Sequence, residues 1–536
     1  MPRYTYKPFP YAPPPELRGA KPERRPVIIV GAGPVGLSAA IDCALRGIAC
    51  IVLDDNDVVS IGSRAICWSK RTLEIFDRLG VGERMVEKGV TWKVGRLFHG
   101  DRQVWSFDLL PEAGHKMPAF INLQQYYVEQ YLAERAGDFP DLIDLRWKNR
   151  VAGVTPHGDG VAVSIETPDG AYSLEADWLI ACDGARSAVR SMMGLEFEGH
   201  EFEERFLIAD VEMKADFPPE RWFWFEPTFH GGQSALLHKQ PDDIYRIDLQ
   251  LGPDADPEEE RKPENVIPRI EKVVAGRPFE LDWVSVYTFQ CRRLRRFVHG
   301  RVIFAGDSAH IVSPFGARGG NGGIQDVDNL VWKLAMVVRG EAPQSLIETY
   351  DEERAFAADE NIRHSARATA FMTPKTEMER VFRDSVLALA GRHDFARRLV
   401  NSGRLSKPCL LEGMSLQTPA ETDVGVLPGC AMLDAPVENG SGWLLNHFGE
   451  GFSVMAVEAD LPEGLPADLA RIFVTRDPSK RTNGAMTLVD TEGLVAERYG
   501  AGLTYLIRPD QHVAARFARA DPGTIAAAFA RATGRA

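Results

Sequence analysis

Four apolar strand formers, Val27-Ile28-Ile29-Val30, run into Gly31-Ala32-Gly33-Pro34-Val35-Gly36 and then into a helical stretch from Leu37 to Arg46. The glycines therefore fall where a strand turns into a helix, the arrangement that holds a diphosphate. Gly31 permits the tight turn, Gly33 with Pro34 lets the backbone approach a pyrophosphate, and Gly36 lets helix and strand pack closely. The phosphates lie at the positive helix N-terminus. A second strand, Ala49 to Leu53, ends in Asp54, 21 residues after Gly33. A carboxylate there accepts from the hydroxyls of an adenosine ribose. A glycine turn with no ligand would account for the glycines and not for Asp54. Strand, glycines, helix, strand and acid in this order predict a dinucleotide site.

Two later segments narrow the dinucleotide. One is Asp183-Gly184 followed by Arg190. The other is Gly306-Asp307, followed by Ser313-Pro314-Phe315-Gly316-Ala317-Arg318-Gly319-Gly320-Asn321 and Gln325-Asp326. With these three motifs in order, the chain resembles the single-component FAD-dependent monooxygenases over residues 26 to about 375. That family of aromatic hydroxylases is typified by the 4-hydroxybenzoate, phenol and 3-(3-hydroxyphenyl)propionate enzymes, and the last type is the nearest in character. The resemblance implies FAD as cofactor, NAD(P)H as co-substrate, O2, and a phenolic substrate hydroxylated ortho or para to its hydroxyl through a C4a-hydroperoxyflavin.

The same resemblance assigns roles by position. Arg64 lies near the flavin diphosphate, Gln125 near the ribityl chain, and Asp307 accepts from the ribityl hydroxyls. Backbone N–H groups at Gly319, Gly320 and Asn321 face the flavin ring, where donors aimed at a developing anion in a dry site are worth several kcal/mol. Pro314 lines the hydroxylation site, and Arg318 adds positive potential. Substrate contacts are expected from the inserted sheet: His238, Gln240, Arg246 and Tyr287. The 4-hydroxybenzoate enzymes hold their carboxylate with an arginine near the position of Gln240, which argues against a benzoate. Each of these residues also has a plain structural reading, as a cap, a turn or a satisfied polar group in a sheet.

These residues need elements to position them, and the order of elements predicts an α/β chain. A discontinuous Rossmann-like FAD-binding domain is expected from residues 26–190 and 298–375, interrupted by a mostly antiparallel substrate sheet at 191–297. Within that interval run strand-like segments such as 206–211, 221–225, 233–238, 244–250 and 283–289, joined by turns such as Gln240-Pro241-Asp242-Asp243, with one helix near 263–275. A sheet inserted against a dinucleotide domain makes a crevice, where ligands favour binding. A helical connector follows at 376–423. Residues 424–536 resemble the thioredoxin-like C-terminal domain of some family members, without paired cysteines for redox work. The proline-rich, aromatic stretch 1–25 reads as an arm that docks on a surface or stays mobile.

At 536 residues the chain exceeds one core, and three to four domains are expected. A formal charge of −14 argues against nucleic acid, which needs a concentrated basic face. No apolar run reaches the ~18 residues of a membrane span, and the N-terminus lacks a signal-peptide core. Seven scattered cysteines, none in a C-x-x-C pair, point to a reducing compartment and no zinc, hence to a cytoplasmic protein. A homodimer is expected. No second strand-glycine-helix unit exists for the hydride donor, so its binding is expected to be transient, with the flavin able to swing out to meet it. Rival readings are a flavin oxidase or dehydrogenase, a flavin-binding scaffold, and a halogenase, suggested by Trp222-Phe223-Trp224-Phe225.

Overall fold

The structure is a computed structural model that describes residues 4–20, 23–252, 254–313, 316–400, 407–420, 422, 424–438 and 442–536. The apolar run before the glycines is the strand Arg25–Val30, whose Val27, Ile28 and Ile29 are wholly buried, as a strand covered on both faces requires. It lies between Cys50–Leu53 and Gly170–Ala181, parallel to both. Ile143–Arg146 extends the sheet on one side and Val302–Phe304 on the other, again in parallel. The pairing of Leu179 with Val302 is the physical form of the discontinuity: the chain leaves this sheet and returns to complete it. Helices Pro34–Leu45 and Gly319–Val338 lie on it. The second helix rides so low over the Gly306 turn that a Cβ on Gly323 would stand 3.0 Å from the Gly306 Cα.

The inserted sheet has eight strands in the order His310–Ile311, Glu280–Leu294, Phe197–Glu212, Ile244–Leu251, Ala235–Lys239, Arg221–Phe225, Val94–His99 and Arg102–Asp108. All neighbours are antiparallel except Arg221–Phe225 with Val94–His99. This corrects one boundary. Residues 94–108, assigned above to the FAD-binding segment 26–190, form a hairpin that extends the edge of the inserted sheet, where Leu97 and Phe107 join its aromatic face. Strand alternation gives the sheet two distinct faces. Tyr245, Ile247 and Leu249 bury against helix Pro263–Val273 through Val266 and Ile270. Arg246, Asp248 and Gln250 therefore point the other way, toward the FAD-binding layer.

Helices Glu377–Ala390 and Asp394–Val400 form the connector. A third layer holds the five-stranded sheet Met486–Val489, Ala470–Thr475, Ser453–Val457, Leu503–Ile507 and Val513–Phe517. It packs through Phe452, Leu506 and Phe529 against Trp332 of helix Gly319–Val338 and Leu346 of the short turn Gln344–Ile347, which leads into helix Glu348–Met372. The N-terminal arm docks. Phe9 stacks on Trp147 at 4.3 Å, Glu16 pairs with Arg146, and the Gly62 N–H donates to the Tyr6 hydroxyl at 3.0 Å. Among the described residues no helix is long and apolar enough to cross a membrane.

Candidate active site

The three glycines of the first turn do different work. Gly31 has φ +102°, and a Cβ there would meet the Cys182 carbonyl oxygen at 2.5 Å. A Cβ on Gly36 would stand 1.9 Å from the Gly31 oxygen, so helix and strand approach as closely as the sequence demands. In front of Gly33 there is open space: no atom comes within 4 Å of where its Cβ would be. Gly33 is the N-cap of Pro34–Leu45, and the first turn of that helix receives no side-chain cap. An open approach to uncapped N–H groups is what a pyrophosphate needs. Asp54 sits beneath the turn, accepting from the Ala32 N–H at 2.6 Å and from the Asn56 N–H at 2.8 Å, and burial pushes its carboxyl up.

The second and third motifs meet across this groove. Gly184 takes φ +77° with nothing near its Cβ position. Asp183 accepts from the Val189 N–H with one oxygen, and its other oxygen is buried with no partner among the described residues. Arg190 bridges the two segments, donating to the carbonyls of Ala185 and Ser308. Gly306, at φ +65°, donates its N–H to Asp326, which also holds His310 and Arg354. Asp307 is reachable by solvent yet walled in by protein, so it faces an internal groove; burial raises its carboxyl, while His310 and Arg64 lower it. One Asp307 oxygen lies 3.9 Å from the Cβ position of Gly319. Helix Gly319–Val338 also starts without a side-chain cap, leaving its first N–H groups for a ligand. Asn321 spends its side chain on the Ser69 N–H and on the carbonyls of Cys67 and Ala317. Pro314 lies outside the described residues.

The loop 60–65 is fastened from below. Gln125 accepts from the Ala65 N–H at 3.2 Å and donates to Ser60 and Glu129, and Glu129 accepts from Ser60. Arg64 itself is exposed toward the groove. From above, Arg246 forms a bidentate pair with Asp210 at 2.9 and 2.7 Å and donates to the carbonyls of Ser63 and Arg64. Gln240 donates to the same Asp210 at 3.0 Å. Of the expected substrate contacts, Gln240 and Arg246 are therefore spent on Asp210 and on the flavin-side loop, 1% and 3% exposed. Tyr287 is half-buried where the fields of Arg64, Arg246, Arg186 and Asp307 converge, and burial raises its phenol. His238 is buried, and burial together with Arg221 and Arg246 drives it well below its ordinary value, so it is neutral.

On the sheet's flavin-side face a cavity of about 980 Å³, part of it open to solvent, runs between the aromatic strands and the loop before Gly319–Val338. Leu97, Phe107, Phe223 and Phe225 line one wall, Phe371 and Met372 another, and Gly316 and Arg318 a third. Apolar walls with a few polar groups are the usual build of a small-molecule site. The cavity thus joins the inserted sheet to the loop expected against the flavin ring.

Residues 24–365 match the family described as FAD binding domain. The chain belongs to that family of flavin-dependent monooxygenases. This flavoprotein is 35% identical over 347 residues to a flavin-dependent monooxygenase of Mycobacteroides abscessus, covering 61% of the chain and 70% of that protein. It is 29% identical over 363 residues to a 3-(3-hydroxy-phenyl)propionate/3-hydroxycinnamic acid hydroxylase of Mycolicibacterium smegmatis, covering 67% of the chain and 64% of that protein. Among solved structures, the flavin-dependent monooxygenase PieE in complex with FAD and substrate matches with a TM-score of 0.77 at 20% identity, covering 96% of the chain and all of that one. Aklavinone-11 hydroxylase with FAD and aklavinone matches with 0.76 at 24% identity over 96% of the chain and all of that one. The cofactor of the flavoprotein is FAD, and the open Gly33 turn, the unpartnered Asp183 oxygen and the two uncapped helix starts fit it.

Sequence reasoning missed three residues of the flavoprotein's sheet: Asp210, Asp248 and Arg221. Alternation along Arg221-Trp222-Phe223-Trp224-Phe225 was the available signal, because it places Arg221 with Phe223 and Phe225 on the cavity side. Cys67 lies 3.2 Å from Asn122 and 4.0 Å from His238, residue types that could make a thiol nucleophile. Burial instead pushes this thiol up to about 11, so no thiolate forms.

Proposed function

We propose that the chain is an NAD(P)H- and O2-dependent hydroxylase that places a new hydroxyl ortho or para to the hydroxyl of a phenolic aromatic compound. The observation that carries this reading is the cavity, with the aromatic face of the inserted sheet on one side and Gly316 and Arg318 on the other. Bound FAD supplies the chemistry, accepting two electrons from NAD(P)H and passing them to O2 so that one oxygen becomes electrophilic. The chain's residues hold, orient and dry the site. Asp307 accepts from the cofactor's polyol chain, and the first N–H groups of Gly319–Val338 favour negative charge on its ring. The Asp210–Arg246 pair grips the Ser63 and Arg64 carbonyls, so the flavin-side loop and the substrate sheet move as one. Phe223, Phe225 and Phe371 exclude water and hold the ring flat.

We assign the half-buried Tyr287, which lies in the field of Arg64, Arg246 and Asp307, a hydrogen bond to the bound ring, and His238, held neutral, adds no charge. The hydride donor binds transiently, since no second glycine-turn unit is present to hold it. The C-terminal layer, read as thioredoxin-like, is structural. Trp222 and Trp224 pack on the opposite face, against Phe98, Phe217 and Phe229, away from the cavity, which favours hydroxylation over halogenation. The test is a panel of phenols, hydroxybenzoates and hydroxyphenylpropanoids screened for accelerated NAD(P)H oxidation by the yellow holoenzyme. Acceleration by phenols and not by their methyl ethers is expected; none with any phenol would replace the hydroxylase with an oxidase or dehydrogenase.

A further inference from the structure

In a chain of net charge −14, the cavity has a lining of the opposite sign. Arg96, Arg221, Arg318, Arg367, Arg398 and His364 face it, and no carboxylate lines it among the described residues. Most of this charge is accounted for. Arg96 is held by both oxygens of Glu220, Arg318 donates to Asn361 at 2.9 Å, and Arg367 and Arg398 are exposed at the mouth, where water solvates them. Arg221 is different. It lies inside, on the strand that also supplies Phe223 and Phe225, and its guanidinium makes no hydrogen bond or ion pair among the described residues. The carboxylate whose field acts on it is Asp248, two strands away, which makes no bond to it and is itself left with one buried oxygen unpartnered among the described residues. A half-buried guanidinium left unpaired on an otherwise apolar wall is costly to keep, and a planar five-donor fork is matched to a carboxylate.

We propose that the substrate is an aromatic acid and that Arg221 receives its carboxylate. The proposal rests on the hydroxylase reading above and deepens it. The apolar walls take the ring, Arg221 fixes the acid, and the phenolic edge is thereby turned toward the loop at Gly316 and Arg318. The mouth arginines draw the anion in, an effect that salt weakens.

The experiment compares matched acids and amides on the holoenzyme: 3-hydroxy-2-naphthoate with 3-hydroxy-2-naphthamide, and 3-(3-hydroxyphenyl)propionate with its amide. Binding is read by calorimetry, apart from turnover. The wild type is expected to bind each acid about 10- to 100-fold more tightly than its amide, the worth of a charge-assisted hydrogen bond in an enclosed site. Arg221→Met should abolish that preference while amide affinity stays within about threefold, and Arg221→Lys should restore part of it. Flavin content and circular dichroism confirm that each variant is folded and loaded.

Equal binding of acid and amide by the wild type would overturn the proposal, as would equal weakening of both by Arg221→Met. So would a rise in the KM for NAD(P)H with acid binding unchanged, which would assign the charge to the nucleotide. Failure here is separable from failure of the hydroxylase reading. Phenols hydroxylated without preference for acids remove the acid site alone, whereas acids bound through Arg221 but never oxygenated remove the hydroxylase alone.

Discussion

Single positions in this protein separate folding from binding. At Gly36 a Cβ would stand 1.9 Å from a backbone oxygen, whereas at Gly33 it would meet nothing, so the two glycines should fail differently. Gly33→Val is expected to give a soluble protein with an unchanged urea midpoint and no yellow colour, because the new side chain fills only the space where the pyrophosphate lies. Flavin content after extraction checks this, and full flavin in that variant would remove the turn from the site. Asp248 gives a pH signature. Burial raises its carboxyl from 3.8 to about 6; Arg246 on its own strand and Arg221 two strands away lower it, and Asp210 on the neighbouring strand raises it. The folded state therefore holds an extra proton between those values. The contribution to stability is fully present below pH 3.8 and lost as pH rises through about 6. Asp248→Asn should flatten the fall in urea midpoint across that window, and an unchanged profile would mean that this carboxyl titrates normally.

Strands in succession, joined by short turns, made the inserted sheet legible, because each is a local run of β-forming residues. The resemblance put Arg246 close to flavin and substrate, but nothing local could show that Asp210 and the Ser63 and Arg64 carbonyls would occupy it, since those partners come from elsewhere in the chain. The hairpin 94–108 was misplaced for the same reason: its parallel neighbour, Arg221–Phe225, lies more than a hundred residues away, and nothing local encodes that pairing. Beyond the alternation along its strand, Arg221 carries no local signal of a site, since Trp222 and Trp224 on the same strand pack on the other face. At this scale Asp210→Ala should destabilise the fold by about 3–5 kcal/mol by stranding a buried guanidinium, and more than Arg246 and Asp210 replaced together by Met and Leu. Denaturant unfolding of the single and double variants measures it; a loss under 1 kcal/mol for the single variant would mean that water reaches Arg246.

Across the whole molecule the C-terminal layer is clamped to the long helices by charge as well as by rings. Glu353 accepts from Lys333 at 2.8 Å and from Arg508 at 2.6 and 3.0 Å, Arg508 also pairs with Asp510, and Arg71 reaches the Asp510 carbonyl at 2.7 Å. All of these side chains are buried. Removing residues 424–536 should therefore leave Glu353, Lys333, Trp332 and Leu346 uncovered and yield an aggregating protein, read by sedimentation; a soluble, yellow truncation would make the layer dispensable. The three motifs and the order of the layers were legible because each is local or strongly periodic, whereas the clamp joins residues more than 150 positions apart. Turnover by the holoenzyme in isotope-labelled O2, with NAD(P)H and a phenolic acid, tests the central claim most directly. The expected result is a product one labelled oxygen heavier than the substrate, formed in step with NAD(P)H consumed; label found only in water and peroxide would contradict it.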